Sequence, residues 1–286
     1  MVTPSVPSTL PPLPAPKKRR RGVPIAIRAL INAKTLLGAG VFYALFVALV
    51  VGLLYPTMTK LNLDAYLTST GVASLVGAKL THASSFAAII GLELYGAFYG
   101  LIFGSIIGYI AGAALPATIE NGTLDLALAR PISRTRYYSE LWLSALFASV
   151  LTSLATMFAV WLSTLVVKNA QIDWTWLTIT QLIEFAFFVF AVGVGLLFGS
   201  CMNSSRGAGG AAVGIIFLGY VMNALGSLTN KLNWLLKIEP YYYTPGVQAL
   251  VQHNFTYWHP WVLVGVGLLC ALCGMIIFNR RDLPMA

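Results

Sequence analysis

Long apolar runs without charged side chains dominate the chain. Six stretches contain no Asp, Glu, Lys or Arg, and they are 35–59, 94–119, 141–167, 185–205, 207–230 and 240–279. A helix that crosses a membrane needs about 20 apolar residues, so each stretch can hold one span. Strands of a membrane barrel would alternate in polarity over about ten residues, and these runs do not alternate. The pattern predicts an all-α integral membrane protein, a bundle of six transmembrane helices.

Prolines and polar residues between the runs give approximate limits for the six spans. The predicted spans are Leu36 to Tyr55, Phe86 to Leu115, Tyr138 to Val166, Leu177 to Cys201, Gly207 to Leu228 and Trp261 to Phe278. Residues 57–85 and 229–259 form two longer outer segments, and the second is rich in Tyr and Trp. Such side chains favour the membrane–water interface, so we expect partial immersion of this segment in the outer leaflet.

The first 24 residues differ in composition from the rest. Six of the 14 prolines precede Lys17, and residues 17–21 are all Lys or Arg. This composition predicts a disordered, basic cytoplasmic tail. Residues 25–37 show apolar positions at helical spacing and predict an amphipathic helix along the inner face. Residues 25–286 are therefore predicted to form one six-span transmembrane domain.

Charge is scarce and unevenly distributed. The chain is 58% hydrophobic and 9% charged, with a formal net charge of +9. With the N-terminus inside, the inner segments carry 13 of the 18 Lys and Arg residues, which satisfies the positive-inside rule. Both termini are thus predicted to be cytoplasmic, in a multi-pass protein of the cell (plasma) membrane. We attribute the basic charge to orientation and to contact with anionic membrane lipids, not to nucleic acid.

The sequence lacks the common catalytic motifs. It contains no nucleotide-binding P-loop motif, no H-E-x-x-H and no G-x-S-x-G. His82, His253 and His259 fall in outer segments without a local partner, which predicts surface histidines. We therefore predict that the chain is not an enzyme and holds no metal or cofactor of its own.

Span two contains five glycines at intervals of four residues: Gly96, Gly100, Gly104, Gly108 and Gly112. Small residues at this spacing allow the backbones of two membrane helices to approach closely. We interpret the series as a helix-packing surface, and a role in lining a pathway is a compatible alternative.

Two acidic side chains lie inside predicted spans. Glu93 and Glu184 are each about 10 Å from the outer end of their span at 1.5 Å per residue. Acidic residues at that depth are functional candidates, although both side chains could also reach the outer interface. We treat them, with Asn223 of span five, as possible gate or pathway residues.

The loop between spans two and three combines leucines with acidic and amide side chains. It lies between Pro116 and Pro131, and three leucines occur within residues 124–128. A solvated loop does not need them, so we predict a short inner helix at about 118–130 that docks a partner.

This loop resembles the inner-loop signature of ABC-2 type permeases, the membrane subunits of ABC exporters. The matching residues are Glu-x-Gly-Thr-Leu-x-Leu-x-Leu at 120–128 and Arg-Pro-Ile-Ser-Arg at 130–134. Similar segments follow at 203–206, 219–225, 238–243 and 278–283. The long basic tail and Asn121, where the family often has a charged residue, depart from the pattern.

The resemblance implies a function and a set of partners. It implies a pore of two permease copies or homologues, and a separate cytoplasmic ABC ATPase that binds ATP and Mg. It implies outward movement of a substrate by alternating access, and the apolar spans favour an amphipathic or apolar substrate. The implied ATPase-coupling residues are Glu120, Asn121, Gly122, Thr123, Leu124, Asp125, Leu128, Arg130, Pro131, Ser133 and Arg134. An ion-coupled secondary transporter and a membrane scaffold without transport remain alternatives.

Overall fold

The computed structural model describes residues 38, 40–43, 45–46, 85–96, 99–122, 124, 133–167, 170–228 and 230–281. Within these ranges the regular structure is helical and no β-strand occurs. The α-helices are α1 (Phe86–Tyr95), α2 (Ser105–Glu120), α3 (Arg134–Val166), α4 (Trp174–Cys201), α5 (Ser205–Leu228), α6 (Asn233–Leu236), α7 (Gly246–Gln252) and α8 (His259–Arg280).

Five helical stretches of the described part are long and apolar enough to cross a membrane. They are Phe86–Glu120, Arg134–Val166, Trp174–Cys201, Ser205–Leu228 and His259–Arg280. They coincide with predicted spans two to six and confirm the all-helical, membrane-spanning class. The predicted tail, the amphipathic helix, most of span one and the segment 57–85 lie outside the described residues, so the count of six and the side on which the termini lie stay predictions.

Helix α3 shows how the bundle is adapted to lipid. Its exposed side chains recur every third or fourth residue and are large and apolar: Leu143, Phe147, Val150, Leu154, Phe158, Trp161 and Leu165. Its buried face carries small hydroxyl side chains instead: Ser144, Ser149, Thr152, Ser153, Thr156 and Ser163. Four of these hydroxyls donate to backbone carbonyls one turn earlier in the same helix. Because this polarity is the reverse of a soluble helix, the outer stripe is suited to lipid.

Helix α4 is the central element and approaches two neighbours through glycines. A Cβ added at Gly195 or Gly199 would collide with the backbone carbonyl of Gly108 or Gly112 on α2. A Cβ added at Gly193 would collide with the Gly267 carbonyl on α8. Backbones this close make extensive van der Waals contact, which is the main source of helix association in lipid.

Predicted span two is divided into pieces. Helix α1 ends at Tyr95, and Gly96 has an extended backbone with ψ of 175°. A π-helical turn, Gly100–Gly104, then leads into α2. The glycine series therefore does not form one continuous surface. Among the described residues, a Cβ added at Gly96 would clash only with its own helix, at Leu92. Gly100 and Gly104 instead accommodate the Phe187 ring, and Gly108 and Gly112 contact α4 and α5.

The end of α2 corrects the expected boundary at Pro116. The helix runs through Pro116 to Glu120 and is followed by Gly122, whose φ of 61° suits glycine at a helix C-terminus. The start of the predicted 118–130 helix thus belongs to α2, because proline is tolerated where a neighbouring helix packs against the freed carbonyl. Pro116 frees the carbonyl of Gly112, four residues earlier, and Gly199 of α4 packs against this carbonyl.

Residues 230–258, which we name the returning segment, fold back against the bundle. Tyr241 is buried between Phe187 of α4 and Gly100, with ring centroids of Phe187 and Tyr241 4.9 Å apart. Helix α7 packs on α1, where Val247 and Val251 face Gly91. Trp234 and Tyr257 remain exposed. The aromatic residues of this segment therefore divide between the core and the exposed surface, whereas the sequence predicted partial immersion of the segment in the outer leaflet and no place in the core.

Candidate functional site

The bundle has two ends with different chemistry. We name the end that contains Glu184, Tyr95 and Gly246 the Glu184 end. The opposite end, which contains Arg281 and Glu120, is the Arg281 end. A cavity of about 410 Å³ lies at the Glu184 end. Its walls come from α1, the π-helical turn, α4, α5, the returning segment and the first residue of α8. A volume of this size is at the lower end of the range for small-molecule sites.

A chain of hydrogen bonds connects three helices beside this cavity. The Tyr95 hydroxyl donates to Oε1 of Gln181 over 2.9 Å, and Nε2 of Gln181 donates to the Tyr99 hydroxyl over 3.0 Å. The Tyr99 hydroxyl and Oγ1 of Thr156 lie 3.0 Å apart, and Thr156 donates to its own helix backbone. The donors fit if Tyr99 donates to Thr156. The oxygen and the nitrogen of the Gln181 amide group are thus both hydrogen-bonded, which fixes this part of α4.

Glu239 is buried in the returning segment and is fully hydrogen-bonded. Its exposed fraction is 1%. One carboxylate oxygen accepts from Nδ2 of Asn223 over 2.9 Å, and the other accepts from the Tyr241 backbone N–H over 2.5 Å. These bonds cap the short helix Pro240–Tyr243 and join the segment to α5. Asn223, a predicted pathway residue, lines the cavity.

Glu184 is equally buried but has no such bonds. Its exposed fraction is 3%, and it lines the cavity. Among the described residues, no side chain or backbone group donates a hydrogen bond to it or forms an ion pair with it. Its Oε1 lies against Gly246, and a Cβ at position 246 would occupy the same space. The absence of a side chain at Gly246 therefore makes room for the carboxyl group.

The structure places Glu93 and His259 differently from what the sequence predicted. Glu93 is exposed on α1 and does not line the cavity. Its backbone carbonyl accepts a bond from the Tyr43 hydroxyl over 2.8 Å. His259 lines the cavity with an exposed fraction of only 8% and contacts the rings of Tyr242 and Tyr243. The prediction of a surface histidine at 259 is therefore wrong, because the returning segment covers it.

The guanidinium group of Arg281 joins several helix ends at the Arg281 end of the bundle. Nη1 of Arg281 donates to the carbonyl of Ser200 over 2.9 Å and to that of Met202 over 3.3 Å, and Nη2 donates to Oδ1 of Asn203. The Arg281 carbonyl in turn accepts from Nη1 of Arg134 over 2.8 Å. We name this set the Arg281 network. It fixes the ends of α3 and α8 to the turn between α4 and α5.

The ends of the loop 121–133 are attached to the same structure. Oε1 of Glu120 accepts from the backbone N–H of Ser205 over 3.0 Å, which joins α2 to the start of α5. Ser133 caps α3 by accepting from the Arg136 N–H over 3.2 Å. Leu124 has an exposed fraction of 3% and belongs to the chain's own core. Its side chain therefore packs inward, which differs from the expected exposed docking face.

The remaining predicted coupling residues divide into two groups. Asn121 and Gly122 form the turn after α2, and Ser133 and Arg134 begin α3. The others lie outside the described residues, namely Thr123, Asp125, Leu128, Arg130 and Pro131.

The family comparison covers both ends of the bundle. Residues 112–279 match the family described as Multidrug efflux system permease Rv1217c, C-terminal domain. The match extends over more than half of the chain, from the middle of α2 to the last turn of α8. The chain belongs to this family. No curated protein gives a match.

The family match includes most of the cavity lining of this efflux permease. Glu184 and Asn223 of the lining fall within the matched range, as does Glu239, which binds Asn223, whereas Tyr95, Gly96 and Gly100 precede it. Glu239 was missed from sequence, because it lies in a polar outer segment where an acidic residue is unremarkable. The available signal was Pro240, since proline favours the first position of a helical turn and so places Glu239 at the N-cap, where a side-chain oxygen can accept from a backbone N–H.

Burial makes the stability of the permease depend on pH through Glu239. Burial raises the pKa of Glu239 from 4.5 to about 7, against the smaller opposing effect of its bonds to Asn223 and the backbone. Between these values the folded state binds the proton that the unfolded state has lost, so the free energy of unfolding falls as pH rises. We expect a loss of roughly 3 kcal/mol from pH 4.5 to above pH 7.

Thermal melting of the purified protein from pH 5 to pH 8 measures this effect. Glu239→Gln should flatten the decline because glutamine does not titrate. Glu140→Gln, which removes a carboxyl group from a surface ion pair with Arg136, should leave the decline as it is. Parallel melting profiles for wild type and Glu239→Gln would contradict the assignment.

Proposed function

We propose that this chain is the membrane subunit of an ATP-binding cassette exporter, an ABC-2 type permease that moves an amphipathic or apolar substrate outward by alternating access. A separate cytoplasmic ATPase would supply ATP and Mg, and this chain would hydrolyse nothing itself. Membership of an efflux permease family and the loop motif at 120–134 both support the proposal.

The observation that carries the proposal is the attachment of the loop 121–133 at both of its ends. At the N-terminal end of the loop, Glu120 binds Ser205 of α5. At its C-terminal end, Arg134 binds the Arg281 network. A force applied to this loop by a partner would therefore reach α2, α3, α5 and α8 together. A loop attached at one end only would yield without moving the bundle.

The charge distribution supports a cytoplasmic position for the Arg281 end. Among the described residues, that end carries Arg134, Arg136, Arg206, Arg280 and Arg281, whereas the segments at the Glu184 end carry Lys231 and Lys237. This asymmetry matches the positive-inside rule. In our proposal the ATPase binds at the Arg281 end, the Glu184 end faces outward in the plasma membrane, and a second permease copy or homologue completes the pore.

Reversal of charge at Glu120 tests the proposal. The permease is co-expressed with its ATPase, and ATP-dependent efflux is measured in reconstituted vesicles. Glu120→Arg places a second cation beside Arg206 and removes the bond to Ser205. We expect efflux to fall about tenfold or more, since a charge-assisted bond contributes about 1.5–3 kcal/mol.

A matched control is available on the next helix. Glu140→Arg reverses a charge near the start of α3, where the carboxylate forms only an i,i+4 pair with Arg136. Exposed pairs of this kind contribute little, so efflux should be retained. Undiminished ATP-dependent efflux by Glu120→Arg would overturn the proposed coupling, and efflux by the purified chain without any ATPase would overturn the ABC assignment.

Ion-coupled secondary transport is the second candidate, and one observation favours it. The buried carboxyl group of Glu184 has no partner among the described residues, and acidic groups within membranes often serve ion coupling. Uptake driven by a pH or sodium gradient in vesicles that contain only this chain would distinguish it.

A further inference from the structure

The cavity at the Glu184 end combines one free carboxyl group with neutral surroundings. Its other polar lining consists of amide and hydroxyl side chains, such as Asn223, Gln248, Gln252 and Asn254, and of the imidazole of His259. None of the described lining residues is Lys or Arg. Glu184 therefore supplies the carboxyl group of the described lining, and no Lys or Arg of that lining would compete with a positively charged ligand.

The two buried acidic residues at this end are used differently. Glu239 has both oxygens occupied by Asn223 and by the backbone of Tyr241. Glu184 has neither oxygen occupied by a described group, although it is just as buried. A buried carboxylate without a partner is costly, and such groups are normally paired. The structure thus supplies one half of an ion pair and a space of about 410 Å³ for the other half.

The remaining lining indicates what kind of cation would fit. The rings of Tyr95, Tyr242 and Phe255 line the cavity with Glu184. Aromatic faces attract organic cations, most strongly where water is displaced, and they also offer apolar area to the body of the ligand. A small inorganic cation would need several oxygen ligands at about 2–2.6 Å, and one carboxyl group in a wide space does not provide them.

We infer that this cavity binds a hydrophobic organic cation, whose positive charge pairs with the Glu184 carboxylate and whose apolar body contacts the aromatic rings. Gly246 is part of the site because it leaves the space that the carboxylate occupies. That the bound cation is also a transport substrate rests on the export function proposed above. Binding itself does not depend on an ATPase.

Equilibrium binding to the purified full chain in lipid nanodiscs tests the inference. The probe is radiolabelled tetraphenylphosphonium, and tetraphenylborate serves as a control of similar shape and opposite charge. We expect saturable binding of the cation only. Glu184→Gln should weaken it about 30-fold, which is about 2 kcal/mol, and Gly246→Ala should weaken it in the same direction by displacing the carboxylate.

Glu93→Gln is the matched control. It makes the same change in the adjacent membrane helix, at an exposed residue that does not line the cavity. Its affinity for tetraphenylphosphonium should equal that of wild type. Equal affinity in Glu184→Gln, an equal loss in Glu93→Gln, or equally tight binding of tetraphenylborate would each overturn the inference.

Carbodiimide labelling of the wild-type chain keeps the inference testable if the Glu184 variants do not fold. Dicyclohexylcarbodiimide modifies buried carboxyl groups, and peptide mass spectrometry locates the adduct. Saturating tetraphenylphosphonium should slow modification of Glu184 at least several-fold and leave that of Glu93 unchanged. Unslowed labelling of Glu184 would reject the site.

The outcomes separate this inference from the proposed export function. Cation binding that depends on Glu184, without ATP-driven efflux, would retain the site and reject the exporter. ATP-driven efflux by a chain whose cation binding is indifferent to Glu184 would retain the exporter and reject the site.

Discussion

Replacing Gly267 with alanine is expected to lower the melting temperature of the purified protein by about 2–12 °C. The added Cβ would lie 2.6 Å from the Val189 carbonyl oxygen and 2.8 Å from Cα of Phe190. Both neighbours are backbone atoms of α4, so no side-chain rotation relieves the clash and the two helices must separate. Overpacking of this kind costs about 1–3 kcal/mol, and a chain of this size loses about 2–4 °C per kcal/mol.

Gly265 provides the control on the same helix. It lies two residues earlier on α8, and nothing lies within 4 Å of a Cβ added there. Gly265→Ala should leave the melting temperature unchanged or raise it slightly, since alanine favours the helix more than glycine does. Equal melting temperatures for the two variants would show that α4 and α8 are not in contact as described.

Replacing Arg281 with methionine is expected to loosen the turn between α4 and α5. The substitution removes three donated hydrogen bonds, to Ser200, Met202 and Asn203, while it keeps an unbranched side chain of similar length. Partly exposed charge-assisted bonds of this number should contribute about 2 kcal/mol together. The turn would then open about 30 times more often, because 1.4 kcal/mol corresponds to a factor of ten.

Limited proteolysis measures this opening directly. Arg206 is an exposed trypsin site in the first turn of α5, immediately after the turn that Arg281 holds. Cleavage there should accelerate by the same factor of about 30, because proteolysis follows the population of the open form when closing is fast. Arg280→Met removes the neighbouring, exposed guanidinium and should leave the cleavage rate at Arg206 unchanged. Equal rates in the two variants would contradict a role for Arg281 in holding the turn.

The long helices were predictable because the membrane imposes a simple rule. A charge-free run of about 20 apolar residues has few alternatives to a spanning helix, and α3, α4, α5 and α8 begin and end within four residues of the predicted limits. Helix starts gain further precision from caps such as Asp173, which accepts from the N–H groups of Thr175 and Trp176.

The division of span two could not be predicted from the same rule. Apart from Glu93, residues 86–115 contain no charged side chain, and hydropathy does not show where a helix ends inside the membrane. The interruption after Tyr95 depends on partners distant in sequence, since Tyr241 of the returning segment fills the space beside Gly100. A glycine repeat predicts close packing but not the helix against which each glycine packs.

The candidate site was partly predictable for a similar reason. Glu184 was identified because a charge within an apolar run is conspicuous, but Glu93 is equally conspicuous by that criterion. Only the fold separates the two, by covering Glu184 with the returning segment and leaving Glu93 exposed on α1. Burial of Glu239, His259 and Leu124 likewise depends on contacts between distant parts of the chain.

The extended backbone at Gly96 has a mechanical consequence. Helix α1, which precedes Gly96, is packed on α7 through Gly91. Helix α2, which follows it, is packed on α4 and α5 through Gly108 and Gly112. Helices α1 and α2 therefore meet at a break that borders the cavity, because Tyr95 and Gly96 both line it. A change of the backbone angles at Gly96 would shift Tyr95 relative to Glu184 and so alter the width of the cavity.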